Sequence, residues 1–200
     1  MHDATTSAIL LIWTTVLFAP PIMFLAFHGI RRLWPFAQAP VISAVAAILC
    51  FALGLAALRL SFTNAWANIA LASVTYFAYC FLAASCWQIS RKTLRFIAAF
   101  LTIIPIGLGY IVGTVGVLGL AWIVGDYASP PEHVESMGAQ LVCEINGWGS
   151  VLDGVYHVQL YRRYSAFPFV ERKVAELTVD YNTGDADKTC SDALNARAHG

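Results

Sequence analysis

Hydrophobic residues run through the first two thirds of this chain in long uninterrupted blocks, then give way to short alternating stretches. Four blocks, about 7–26, 41–58, 66–87 and 94–124, reach or exceed the roughly 20 apolar residues that carry an α-helix across a hydrocarbon core. Polar links separate them, and each link holds a few charged or aromatic residues: His28 to Gln38, Ser61 to Asn64, and the turn around Arg91 and Lys92. The pattern predicts four transmembrane helices in the segment 1–127.

Within the helices, proline and glycine mark the places where backbone geometry is special. Pro20 and Pro21 predict a broken hydrogen-bond ladder in the first crossing, whose freed carbonyls need a neighbouring helix or water. Pro105 predicts a kink in the fourth. Thr102, Gly109, Gly113 and Gly116 recur on one face of that helix, with Gly119 beside them. Lipid gives helices little reason to hide apolar surface, so small residues that admit a close neighbour mark a packing seam. Contact with another helix of the same chain is the first reading of this seam, and self-association through Gly109 and Gly113 the second.

After Asp126 the period changes. Ser129-Pro130-Pro131 ends the helical pattern, Glu132 to Met137 reads as an acidic link, and 128–138 is taken as a linker. From Ala139 the residues Leu141, Cys143 and Ile145 alternate with less apolar neighbours as far as Asn146-Gly147, a turn signal. Asp153-Gly154 is a second such signal. Val155 to Tyr164 alternates most clearly, with Tyr156, Val158 and Leu160 on one face and His157, Gln159, Tyr161 and Arg163 on the other. Ser165 to Pro168 turns the chain. Phe169 to Val179 fits a helical stripe as well as a strand, and the Leu177-Thr178-Val179 ending favours the strand. The residues after Cys190 suit a short helix. The predicted fold class is therefore a membrane all-α bundle of four helices followed by a small antiparallel β domain, 139–200.

Composition agrees: of 200 residues, 58% are hydrophobic and 12% charged, and the mean hydropathy is +0.66, whereas about a quarter of a soluble domain is charged. Twelve basic residues balance twelve acidic ones, which gives no electrostatic reason to expect a nucleic-acid partner. Their distribution is informative. Arg31 and Arg32 lie in the first connector and Arg91, Lys92 and Arg95 in the third, against Arg59 alone in the second. Cytoplasmic loops carry the excess of Lys and Arg, so both termini are expected outside the cytoplasm. Lack of basic residues before Ser7 argues against a cleaved leader, and the short architecture suggests a bacterial inner membrane.

A β domain of roughly 70 residues is near the size at which a core alone gives little stability. Cys143 and Cys190 are the only two of five cysteines outside the apolar blocks, and an oxidising compartment would let them join. A disulfide between them is expected. Cys50, Cys80 and Cys86 read as small hydrophobes.

Chemistry is sparse. Ionisable residues are absent from the middle of the four blocks, which disfavours ion-coupled transport. Glu132, His133 and Glu135 lack the converging ligand set of a metal site, and no cofactor is expected. Cys143, His157 and Asp153 would be the one nucleophilic set, and a bonded Cys143 cannot attack. Trp148, Tyr161 and Arg163 are residue types enriched in binding surfaces, with Arg162 on the opposite face of the same strand. Contact with lipid headgroups or core packing is preferred to a partner site for that stretch, and membrane lipids are expected partners. The leading function is a non-catalytic membrane interaction or accessory protein, binding another protein or itself; an oligomeric channel or transport subunit comes second, a thiol enzyme using Cys143 third.

Overall fold

The computed structural model of the chain describes residues 2–114, 131, 133–148, 155–180, 190–191 and 194. Two compact units can be told apart, one of Met1–Gly54 and Trp66–Gly125, the other of Leu55–Ala65 and Asp126–Gly200.

The first unit is helical: α1 (His2–Leu33), α2 (Gln38–Ala57), α3 (Ala65–Ser85) and α4 (Lys92–Thr114), with short 3₁₀ turns at Pro35–Ala37 and Cys86–Gln88. All four are long and apolar enough to cross a membrane. Their burial runs opposite to that of a water-soluble bundle. Small residues such as Ala8, Thr15 and Ala19 on α1 and Ala78, Cys80, Ala83 and Ala84 on α3 are buried, while Leu25, Phe51, Leu53, Phe96 and Phe100 are exposed. Such a surface suits a hydrocarbon solvent. Larger side chains enter the interior where α1, α2 and α3 meet. There Phe27 packs edge-on against Phe81, ring centroids 5.5 Å apart, among Met23, Ile30, Val41 and Val45. The Gln38 side-chain amide donates to Gln88 Oε1, which ties the first connector to the third.

Helix α1 continues through Pro20 and Pro21, and a freed carbonyl finds its donor on a neighbouring helix, as expected. Pro21 has no N–H to offer the carbonyl of Leu17, four residues back. Tyr110 of α4 supplies the missing donor, its hydroxyl 2.7 Å from Leu17 O. A similar contact lies beside Pro105, where Tyr79 Oη donates to Thr102 O at 3.0 Å. For Pro21, then, a tertiary donor offsets what the proline removes. Tyr110→Phe is expected to cost about 1 to 2 kcal/mol, since it leaves a buried carbonyl without its donor. Thermal melts of the detergent-solubilised protein should fall by about 2–4 °C; an unchanged midpoint would show that the bond contributes nothing.

The α4 residues expected to form a seam separate on inspection. A Cβ built on Gly109 would sit 3.1 Å from Tyr76 Oη and 3.6 Å from Val16 Cγ1, so at this glycine α4 packs tightly against side chains of α3 and α1. Thr102 turns its hydroxyl back onto Ala98 O and Ala99 O. Gly113 is one turn beyond Gly109 on the same helix, while Gly116 and Gly119 lie outside the described residues, as does the expected continuation of α4 to 124.

The second unit is a five-stranded antiparallel sheet in the order β1-β5-β4-β3-β2, with β1 (Leu60–Phe62), β2 (His133–Ser136), β3 (Leu141–Trp148), β4 (Val155–Tyr164) and β5 (Phe167–Asp180). Three readings need correction. Leu60–Phe62, in what was read as a polar link between the second and third helices, is an edge strand with Ser61 opposite Glu171. The acidic link contains β2, paired through Glu135 and Cys143. Asn146-Gly147 is no turn: β3 continues through it, pairing with His157 and Tyr156. The ambiguous stretch is strand throughout β5, and residues 190, 191 and 194 are helical. Asp153-Gly154 and the 182–187 loop lie outside the described residues.

One face of the sheet is a core. Cys143 opposes Leu160 and Ile145 opposes Val158, all four almost fully buried together with Cys190. The Cys143–Cys190 disulfide, with Cα atoms 6.1 Å apart, closes a separation of 47 residues and pins the chain's last described segment to the middle strands.

Candidate functional site

Charged groups of the sheet fall into two sets on opposite faces, and a single register shift creates both. Leu160 opposes Ala175, but Tyr161 opposes Lys173, so Val174 is the extra residue of a β-bulge. Past the bulge, Arg163 faces Glu171 and Arg162 faces Arg172.

On the polar face Arg163 is held by two carboxylates, Nε 3.2 Å from Glu171 Oε2 and Nη2 3.3 Å from Glu144 Oε1. The Glu171 side chain is only 8% exposed. Burial pushes its pKa above the ordinary glutamate range, the nearby Glu144 charge adds to this, and the hydrogen bond and charge of Arg163 oppose it. Glu144 is raised by burial too, again against Arg163. Two desolvated carboxylates therefore share one guanidinium, which balances their charge only in part. Along the same face Lys173 pairs with Glu176 at 2.8 Å, Gln159 Nε2 is 3.3 Å from Glu176 Oε1, and Thr178 Oγ1 is 3.4 Å from His157 Nδ1. The Lys173 and Gln159 hydrogen bonds hold Glu176 below the usual carboxylate range, with partial burial opposing.

Of the residues read from sequence as possible partner contacts, Tyr161 and Arg163 lie on one face of β4. Arg163 is occupied by the two glutamates. Tyr161 gives its hydroxyl to Gln159 Oε1 and sits between Val142 and Lys173 on the neighbouring strands. Trp148 is the final residue of β3, opposite Val155. His133 and Glu135 lie on β2, and Glu132 is outside the described residues. Cys143, bonded to Cys190, offers no thiol to a nucleophilic mechanism.

A recess of about 260 Å³ is lined by Arg59, Arg162 and Arg172 and reaches the bulge at Lys173 and Val174. Arg59 ends α2 with φ of 53°, in the left-handed region usually left to glycine, and its carbonyl accepts from Lys173 N at 3.1 Å. Arg162 donates to the neutral Gln140 Oε1 at 3.3 Å. Sequence reasoning set Arg162 apart from Arg163 by alternation but had no means of bringing it to Arg59 and Arg172. Exposed apolar side chains elsewhere on the sheet are Phe167 and Phe169, edge to face with centroids 6.1 Å apart at the start of β5, and Val134 on β2 opposite Glu144. Comparison of the chain with protein-family models, with characterised proteins and with solved structures returns no match.

Proposed function

We propose that this chain is an integral protein of a bacterial inner membrane, with four crossings, both termini outside the cytoplasm, and an extracytoplasmic sheet that binds a protein partner without catalysis. The pairing of β1 with β5 carries the reading. Leu60–Phe62 belongs to the connector between α2 and α3, and it is hydrogen-bonded into a sheet otherwise built from residues after α4. With four crossings, that connector and the tail share a side of the membrane; the other two connectors, joined through Gln38 and Gln88, share the opposite one. Arg31, Arg32, Arg91, Lys92 and Arg95 all fall on the latter, against Arg59 on the former, and such an imbalance favours the cytoplasm for the richer side. The Cys143–Cys190 bond is in keeping with an oxidising compartment for the sheet.

Binding suits the sheet better than turnover. Its versatile groups are engaged with one another, Cys143 with Cys190 and Arg163 with Glu144 and Glu171, while Phe167, Phe169 and Val134 present apolar surface. Strand β2, at one border of the sheet and exposed along its length, is a suitable template for strand addition by a partner.

The test is a pair of fusions at Gly200: a reporter active only beyond the cytosol is expected to be active, and one active only in the cytosol silent. The reverse result overturns the topology. Crosslinking in native membranes is expected to capture a distinct protein through β2; homo-oligomers alone, with ion flux in liposomes, would replace the partner reading with a channel.

A further inference from the structure

We infer that the recess between Arg59, Arg162 and Arg172 is an anion site that holds the phosphate of an acidic phospholipid headgroup. The inference rests on the membrane reading of the four helices. Arg162 and Arg172 oppose each other directly across β4 and β5, and Leu60, next to Arg59, opposes Arg172 from the other side. Like charges directly opposite on a ladder are destabilising. Among the described residues none of the three arginines makes an ion pair, while Arg163 and Lys173 do. A bulge, rather than simple alternation, creates the opposition, and a non-glycine residue in the left-handed region supplies the third guanidinium. Strain of that kind persists where something else over-determines it, and a bound anion would relieve the repulsion of all three charges.

The chemistry of the lining selects the ligand. Guanidinium groups present planar forks that match phosphate oxygens and shed water more readily than ammonium. A recess of about 260 Å³ accepts a headgroup rather than a macromolecule. Its depth relative to lipid follows from the chain: Arg59 is two residues past Ala57, the end of a candidate span. At no more than about 3.6 Å per residue, it lies within roughly 7 Å of the helix end, the thickness of the headgroup layer.

The test uses the full-length protein in a neutral detergent, titrated with dioctanoyl phosphatidylglycerol, dioctanoyl phosphatidylcholine and inorganic phosphate. The glycerol lipid is expected to bind and raise the melting temperature, and the choline lipid, whose cation offsets its phosphate, to bind at least about tenfold more weakly. Arg162→Gln with Arg172→Gln should lose at least about tenfold in affinity for the glycerol lipid, with a lipid-free melting temperature equal to or above wild type because the repulsion is gone. Arg59→Gln, outside the strand ladder, should weaken binding without unfolding the sheet, and Arg95→Gln should change nothing. Equal binding by wild type and by both pocket variants overturns the site. Equal binding of the two lipids, or of inorganic phosphate as tightly as the glycerol lipid, overturns the headgroup assignment. Titration in detergent is blind to sidedness, so a cytosolic reporter result would leave this outcome standing, and loss of arginine dependence would leave the topology untouched.

Discussion

Cys143→Ala with Cys190→Ala is expected to destabilise the sheet by about 4 kcal/mol, the chain-entropy value for a loop of this length, with a 47-residue separation between the two. That is an upper figure, because residual structure in the unfolded chain reduces it, yet it is large beside the roughly 5–15 kcal/mol that a whole domain usually commands. Both sulfurs sit in the only buried apolar cluster described for the sheet, with Ile145, Val158 and Leu160. Losing the bond therefore loosens the one core that β3, β4 and β5 share. Urea unfolding followed by proteolysis of the sheet measures the effect, and a reductant should lower wild type to the level of the double variant without affecting the variant itself. Alkylation in denaturant should add three labels before reduction, on Cys50, Cys80 and Cys86, and five after it. Full labelling before reduction, or equal stability with and without the bond, would refute the role given to it.

Arg163→Met is expected to cost about 2 to 3 kcal/mol at neutral pH, less than the roughly 3–5 of a fully buried pair because the guanidinium remains in contact with water; its side chain is 40% exposed. The loss carries a pH signature. Burial raises the carboxyls of Glu144 and Glu171 above their ordinary 4.5, so between 4.5 and the raised values the folded state binds more protons than the unfolded one. Stability from these groups then increases as pH falls into that window and declines as pH rises through it. Removing Arg163 takes away the one favourable influence on both charges and widens the window upward. The variant should be weakest at pH 8 and regain part of its deficit at pH 5, as the carboxyls take up protons. Glu176 acts with the opposite sign, its depressed pKa giving stability that is lost on acidification, but it is half-exposed and solvent screens its share. Urea midpoints of wild type, Arg163→Met and Glu171→Gln at both pH values check this; a deficit that does not change with pH would mean that packing, not charge, is what Arg163 supplies.

How far the sequence could be read depended on the length of each signal. Long apolar blocks locate the helices with little help, since a run of some 20 such residues has few other homes. Val155 to Tyr164 is long enough to show a period of two. Leu60–Phe62 and His133–Ser136 are three and four residues long, too short to establish any period, and only their neighbours on β5 and β3 make them strands. Asn146-Gly147 carries a genuine local preference for turning, overridden by ladder bonds that extend through Trp148. The tandem prolines announce carbonyls in need of a donor, but that Tyr110, 93 residues distant, supplies one is decided by packing.

The sequence by itself determined that there are four apolar helices and a terminal strand-forming segment, which sides of the helices share basic connectors, and which two cysteines were available to pair. These are properties of composition and local period, and they survive any particular packing. Tertiary structure alone decided what the charged residues do. Without the extra residue at Val174, Arg162 would face Lys173 and Arg163 would face Arg172; with it, Arg163 meets Glu171 and Arg162 meets Arg172. A one-residue change of register reassigns every cross-strand partner beyond it, and nothing local to Tyr161-Arg162-Arg163 encodes which residues of a distant strand will lie opposite.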